Sequence, residues 1–258
     1  MWIDTHLHLD DTAFDPDRDA VVARARDAGV ATLICAGTSV DGSRRAIARA
    51  ERYPGVWATV GIHPEAAATA DERALGELGS LARHARVVAV GETGLDYVHD
   101  RAPRAVQTRS FRAHARLARE TGLPLVVHNR EAHHDVERIL LEEGVSAVVM
   151  HCFSGGPDVA ARWAAMGWML SFAGTITFAK AASLREIARV VPGGRLLIET
   201  DAPYLAPAPM RGRRCEPAFL VHTGRALASL RGVGEDALAS VLDENGRRVF
   251  FGPRFVVR

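Results

Sequence analysis

The chain has 258 residues, with Lys+Arg 32 against Asp+Glu 31 and a formal net charge of +1. Hydrophobic residues make up 48% and charged residues 24%, the balance of a soluble globular protein, which excludes a disordered, collagen-like or coiled-coil chain. Near-neutral charge argues against coating nucleic acid through the overall field but leaves room for a local basic groove. No apolar run approaches the roughly 18 residues of a membrane span, so no membrane partner is expected. The start, Met-Trp-Ile-Asp-Thr-His, lacks the basic and apolar blocks of a secretory signal. Cys35, Cys152 and Cys215 form no Cys-x-x-Cys pair and read as reduced thiols, so a cytoplasmic location is expected.

Short apolar, β-rich runs recur along the chain. They are Trp2–Asp4, Ala31–Ala36, Val56–Gly61, Val87–Gly91, Pro124–His128, Val145–His151, Trp168–Phe172 and Arg195–Glu199. Between them, Ala20–Ala28, Arg44–Tyr53, Asp71–Arg83, Arg104–Glu120, Glu131–Glu142, Asp158–Met166 and Ser183–Val190 carry apolar residues three to four apart, predicting helices. Two more follow, Glu216–Leu230 and Glu235–Phe250, the last with Leu238, Val241, Leu242, Asn245 and Val249 on one face. Eight strands alternating with helices over about 250 residues predict a (β/α)₈ TIM barrel. The alternative, a doubly wound open sheet, lacks the Gly-x-Gly-x-x-Gly turn that would mark a dinucleotide site. With no linker or composition shift, the chain reads as one TIM-barrel domain, 1–258. The Pro-rich stretch Ala202–Pro209 becomes a loop after the last strand.

The unusual polar residues fall at the ends of these strands. His6 and His8 follow the first, His63 the third, Glu92 closes the fourth, His128 the fifth, His151 the sixth and Asp201 the eighth. In a barrel that end is where sites are built, so distant residues converge on one axial pocket. In extended chain His6 and His8 point to the same side and both imidazoles can reach one metal. Four histidines and two carboxylates are too many for one tetrahedral ion with an open position but suffice for two divalent ions bridged by a carboxylate. Glu92, on the fourth strand, is the natural bridge. Lys180, the lone lysine, lies beyond the seventh strand, which disfavours a bridge made of carbamylated lysine.

With these residues in place, the sequence resembles the TatD family of metal-dependent hydrolases. The matching stretches are Ile3-Asp-Thr-His-Leu-His-Leu-Asp10, Gly61-Ile-His-Pro64, Gly91-Glu-Thr-Gly-Leu-Asp-Tyr97, His128-Asn-Arg130, His151-Cys-Phe-Ser-Gly155 and Glu199-Thr-Asp-Ala-Pro-Tyr-Leu205. All are in family order and span nearly the whole chain. The resemblance implies a TIM barrel, a two-metal site and deoxyribonuclease activity, often 3′–5′ exonucleolytic. By motif, His6 and His8 would bind one metal with Asp201, His128 and His151 the second, and Glu92 would bridge. Asn129 stands where the family tends to have Ser or Thr, and Cys215 where it usually has Asn. The latter change is expected to touch the rim and so substrate preference.

The expected function is therefore two-metal hydrolysis of phosphodiester bonds, with single-stranded DNA or 3′ ends as substrate and Mg²⁺, Mn²⁺ or Zn²⁺ as cofactor. Asp201 would take the proton of a metal-activated water, with Glu92 between the ions and His63 as donor to a phosphate or leaving oxygen rather than a ligand. Arg130 would pair with phosphate or else form a rim salt bridge. Arg211, Arg213 and Arg214 would track the phosphate backbone or else be a solvated charge run. Cys152 should face away from the metals, as strand neighbours alternate. Asp96 and Tyr97 should brace the loop or a ligand, and His84, His99, His114 and His222 are read as structural. Two rival readings keep the same fold. One is an amidohydrolase-like lactonase, amidase or aminoacyl-ester (tRNA) deacylase; the other is a non-enzymatic assembly factor, which an intact ligand set disfavours. No obligate protein partner is evident.

Overall fold

A computed structural model describes residues 1–252. Eight parallel strands lie in chain order, β1 (Trp2–Leu7), β2 (Val30–Cys35), β3 (Val56–Val60), β4 (Val87–Asp96), β5 (Leu125–Arg130), β6 (Val148–Met150), β7 (Met169–Phe172) and β8 (Leu196–Ile198). The helices between and after them are α1 (Arg18–Asp27), α2 (Val40–Arg52), α3 (Glu72–Leu81), α4 (Arg104–Thr121), α5 (His133–Glu142), α6 (Pro157–Ala165), α7 (Ala182–Val190), α8 (Leu220–Arg231) and α9 (Glu235–Gly246). This is the expected TIM barrel, and the sequential strand order rules out the doubly wound sheet, whose order reverses at a switch point. The seam between β1 and β8 is held by His8 N–H on the Ala202 carbonyl (2.7 Å) and Asp201 N–H on the His6 carbonyl (2.9 Å). Among the described residues no helix is long and apolar enough to cross a membrane.

The strands are apolar on both faces because both are buried. One face packs on the helices through residues such as Leu33, Leu125, Val127, Leu170 and Ile198. The other fills the barrel with Ile34, Val88, Val126, Val149, Met169 and Leu197, joined by Phe250 from the segment after α9. Because side chains alternate along a strand, two residues further on the same inner face continues upward. There the sequence turns polar: His128 is two past Val126, His151 two past Val149, and Glu199 two past Leu197. A dry floor thus carries a polar layer at the strands' C-terminal ends.

The expected elements return with shifted bounds. β4 runs on to Asp96, so Glu92 lies inside it rather than closing it. Gly94 allows this extension. Its φ is +144°, and a β-carbon there would come 1.9 Å from the His128 carbonyl oxygen, so only glycine lets β4 approach β5 this closely. In α9, Leu238, Leu242 and Asn245 are buried as expected, but Val241 is exposed. The helix ends at Gly246 and a wider π turn, Arg247–Phe251, carries the chain on.

Candidate metal centre

Glu92, buried on β4, stands at the middle of the polar layer, and its two oxygens face different neighbours. Oε2 lies 3.3 Å from His6 Nε2 and 3.8 Å from His8 Nε2. Oε1 lies 3.0 Å from His151 Nε2, 3.0 Å from His128 Nδ1 and 3.5 Å from His63 Nε2. Asp201 closes the first set, its Oδ1 3.3 Å from His8 Nε2 and 3.9 Å from His6 Nε2. The six residues singled out as ligands are therefore brought together, in two groups that share one carboxylate. His6 is 1% exposed, and neither of its ring nitrogens has a hydrogen-bond partner. Burying an imidazole without a hydrogen bond is costly, and a bound cation would remove that cost. The donor set fits divalent metal.

Two further carboxylates set the rings. Glu199 Oε1 accepts from His151 Nδ1 at 3.0 Å and from the Cys152 N–H at 2.8 Å, leaving His151 Nε2 for the pocket. Asp96 does the same for His128 through the opposite nitrogen. Its Oδ2 lies 3.2 Å from His128 Nε2, so His128 presents Nδ1. Asp96 is itself held by the Val98 and His99 N–H groups and by the His99 ring. Asp96 thus braces the His128 ring, while Tyr97 donates instead to Asp135 on α5. His99 is tied into this chain with Glu65, which pairs with Arg101. Sequence reasoning had quoted Glu199 without giving it a task. Its position two residues past the inward-facing Leu197 is the available signal.

His63 joins the same cluster. Its ring meets Glu92 and lies 3.3 Å from His128 Nδ1. Its Nδ1 accepts from the Glu65 N–H at 3.3 Å, so the neutral ring carries its proton on Nε2, pointing into the pocket. A nitrogen bearing a proton donates and does not ligate, which favours the donor role. Burial pushes the ring down to about 4, against the pull of Glu92, so it stays neutral near pH 7.

Charge follows the same geometry. Burial works against Glu92's charge, but His151, His63 and His6 around it hold it well below the ordinary carboxylate range. Burial likewise opposes a charged His8, yet Asp201 and Glu92 raise it to about 9 in the absence of a cation. Beneath the layer, burial pushes Asp4 up to about 8 although Thr200 donates to it twice.

Other expectations change. Cys152 does not follow strand alternation, because β6 ends at Met150 and Cys152 has a left-handed backbone, φ +44°. It lies close enough to Asp201 and Glu92 to feel their charge, and burial with those carboxylates holds its thiol far from the reactive thiolate. Cys215 is fully buried, its N–H on the Pro203 carbonyl, so this departure sits under the loop and not on the rim. Arg214 is not available for phosphate: Asp17 takes it at 2.7 and 2.8 Å. Arg211 lies over the Phe178 ring at 3.8 Å. Arg130 and Arg213 are exposed and form no ion pair among the described residues, which removes the rim salt bridge for Arg130.

His114, on α4, is structural as expected. Its Nε2 accepts from the Ile62 N–H at 3.0 Å and its Nδ1–H donates to the Ser110 carbonyl at 2.7 Å. A cationic ring would aim a proton at a donor, and burial holds its pKa down to about 4. The folded value lies below the ordinary one, so the contribution is whole above pH 6.5 and lost as pH falls toward 4. Stability should drop by about 3 kcal/mol across that window on this account. His114→Gln, whose amide oxygen still accepts from Ile62, should flatten the drop in denaturant titrations at each pH. An equally steep drop in that variant would assign the acid lability elsewhere.

A barrel whose strand ends carry clustered histidines and carboxylates is the frame of a metal-dependent hydrolase. Residues 3–251 match the family of TatD related DNases. A Bacillus subtilis protein, "Uncharacterized metal-dependent hydrolase YabD", is 39% identical over 97% of this chain and 99% of its own. "3'-5' ssDNA/RNA exonuclease TatD" of Musicola paradisiaca is 38% identical over 96% of this chain and 97% of its own. The crystal structure of the Escherichia coli TatD homolog YJJV superposes with a TM-score of 0.92 at 32% identity, covering 98% of both chains. The chain belongs to the TatD family and is an enzyme, a metal-dependent hydrolase.

Proposed function

We propose that this chain hydrolyses phosphodiester esters of DNA, as a 3′–5′ exonuclease acting on single-stranded ends, with two divalent cations per chain. The observation that carries the two-cation part is the split of Glu92. One oxygen faces His6, His8 and Asp201, while the other faces His128, His151 and His63. A carboxylate can span ions about 3.5–4 Å apart, the separation that serves phosphoryl displacement. His6, His8 and Asp201 would hold one cation, His128 and His151 the other, and Glu92 both. Mixed imidazole and carboxylate donors accept Zn²⁺, Mn²⁺ and, less readily, Mg²⁺. Such cations supply Lewis acidity at the phosphate and acidify water at neutral pH.

The chain's own groups complete the chemistry. Asp201 takes the proton of the attacking water, being an ionised carboxylate kept low by His8 and His151 despite its burial. His63 donates from Nε2 to the departing oxygen. Arg130 meets the non-bridging oxygens, and Arg211 and Arg213 meet phosphates further along the strand. The nucleic-acid substrate is supported by the relatives named exonucleases of single-stranded DNA and RNA. A cytoplasmic location belongs to the same reading and is supported by three free cysteines.

The test is a substrate panel of 3′- and 5′-labelled single-stranded DNA, RNA, aminoacyl-tRNA esters and lactones, each in Mg²⁺, Mn²⁺ and Zn²⁺. Stepwise loss from the 3′ end of DNA is expected. Turnover of lactones or tRNA esters without cleavage of DNA would replace this reading with the amidohydrolase-like one.

A further inference from the structure

Tyr204 is the only exposed Phe, Tyr or Trp ring among the described residues, 53% exposed, and it stands on the rim of the candidate metal centre. The ring meets His8 edge-on, with centroids 5.9 Å apart. Its placement is not loose. The Tyr204 N–H donates to the Asp201 carbonyl at 2.9 Å, and the hydroxyl donates to Asp11 Oδ2 at 3.3 Å. Ala202 and Ala206 on either side are buried, which anchors the loop to the barrel. An aromatic ring left in water forgoes the gain of burial, yet here the chain fixes it at both ends and leaves its surface open. The same loop turns back through Cys215 N–H on the Pro203 carbonyl, carrying Arg211 and Arg213. Exposed cations and an open, pinned ring are the two elements with which proteins hold single strands: charge follows the phosphates and π-faces receive bases.

We infer that Tyr204 is a stacking platform for a nucleobase flanking the scissile phosphate, and so a specificity residue favouring unpaired nucleic-acid ends. This rests on the nuclease reading. A base inside a duplex is stacked on its neighbours, whereas an unpaired terminal base is free to leave them for the ring. A small ester lacking such a base gains nothing from Tyr204.

The experiment compares kcat/KM for three oligonucleotides: one intact, one with an abasic 3′-terminal nucleotide and one abasic at the penultimate position. The quantity read is the preference for the intact strand within each protein, which cancels differences in folded fraction. Wild type should prefer it over one of the two abasic strands by about tenfold, the size of one base–aromatic stack. In Tyr204→Ala that preference should fall to near one, and in Tyr204→Phe, which keeps the ring, it should persist. An undiminished preference in Tyr204→Ala, or no preference in wild type, overturns the platform while leaving the nuclease reading standing. A wild type that cleaves none of the three overturns the nuclease reading and the platform with it.

Discussion

Asp201→Asn should lower kcat on the order of 10²–10⁴-fold, the range of a lost general base, while leaving metal content close to wild type. The amide keeps an oxygen where Oδ1 now stands, 3.3 Å from His8 Nε2, so a metal contact can persist. What it loses is the ability to take a proton at neutral pH. Asp201 is suited to that task because histidines offset its burial and keep it ionised. Steady-state rates paired with elemental analysis of the same preparation decide the matter. A variant that retains metal and loses less than tenfold in rate would move the base to another residue.

Glu92→Ala should be more damaging, removing activity and weakening both cation positions, whereas His128→Ala should mainly weaken one. The difference follows from the way the two Glu92 oxygens are shared between the histidine groups. Deleting it also leaves buried imidazoles facing one another: His6 and His151 stack at 4.0 Å. Elemental analysis after equal metal loading should find both equivalents reduced in Glu92→Ala and about one retained in His128→Ala. Two tightly held equivalents in Glu92→Ala would dismiss Glu92 as the bridge.

Much of this architecture was legible in the chain. The eight strands declared themselves because parallel strands buried on both faces need unbroken apolar runs. The residues of the candidate metal centre declared themselves because polar side chains at the ends of such runs have no packing reason to be there. What stayed hidden depends on register between distant elements. That Asp96 would meet His128, or Glu199 His151, follows from how β4 is aligned with β5 and β6 with β8, and from no local pattern. Cys152 was placed by strand alternation, a rule that lapses at a left-handed residue just past a strand end. Cys215 and Arg214 were read as rim residues because a polar loop looks solvated in sequence, yet one is buried and the other spent on Asp17.

The seam between β1 and β8 carries an implication for the order of events in synthesis. His6 and His8 leave the ribosome long before Asp201, whose N–H bonds the His6 carbonyl. Contacts of such long sequence separation close late, since their loop entropy is recovered only when the intervening chain is folded. Between those two points a nascent chain carries the histidines without the carboxylate that completes their cluster. On the proposed reading, the groups assigned to hydrolysis come together only with the closing of the cylinder.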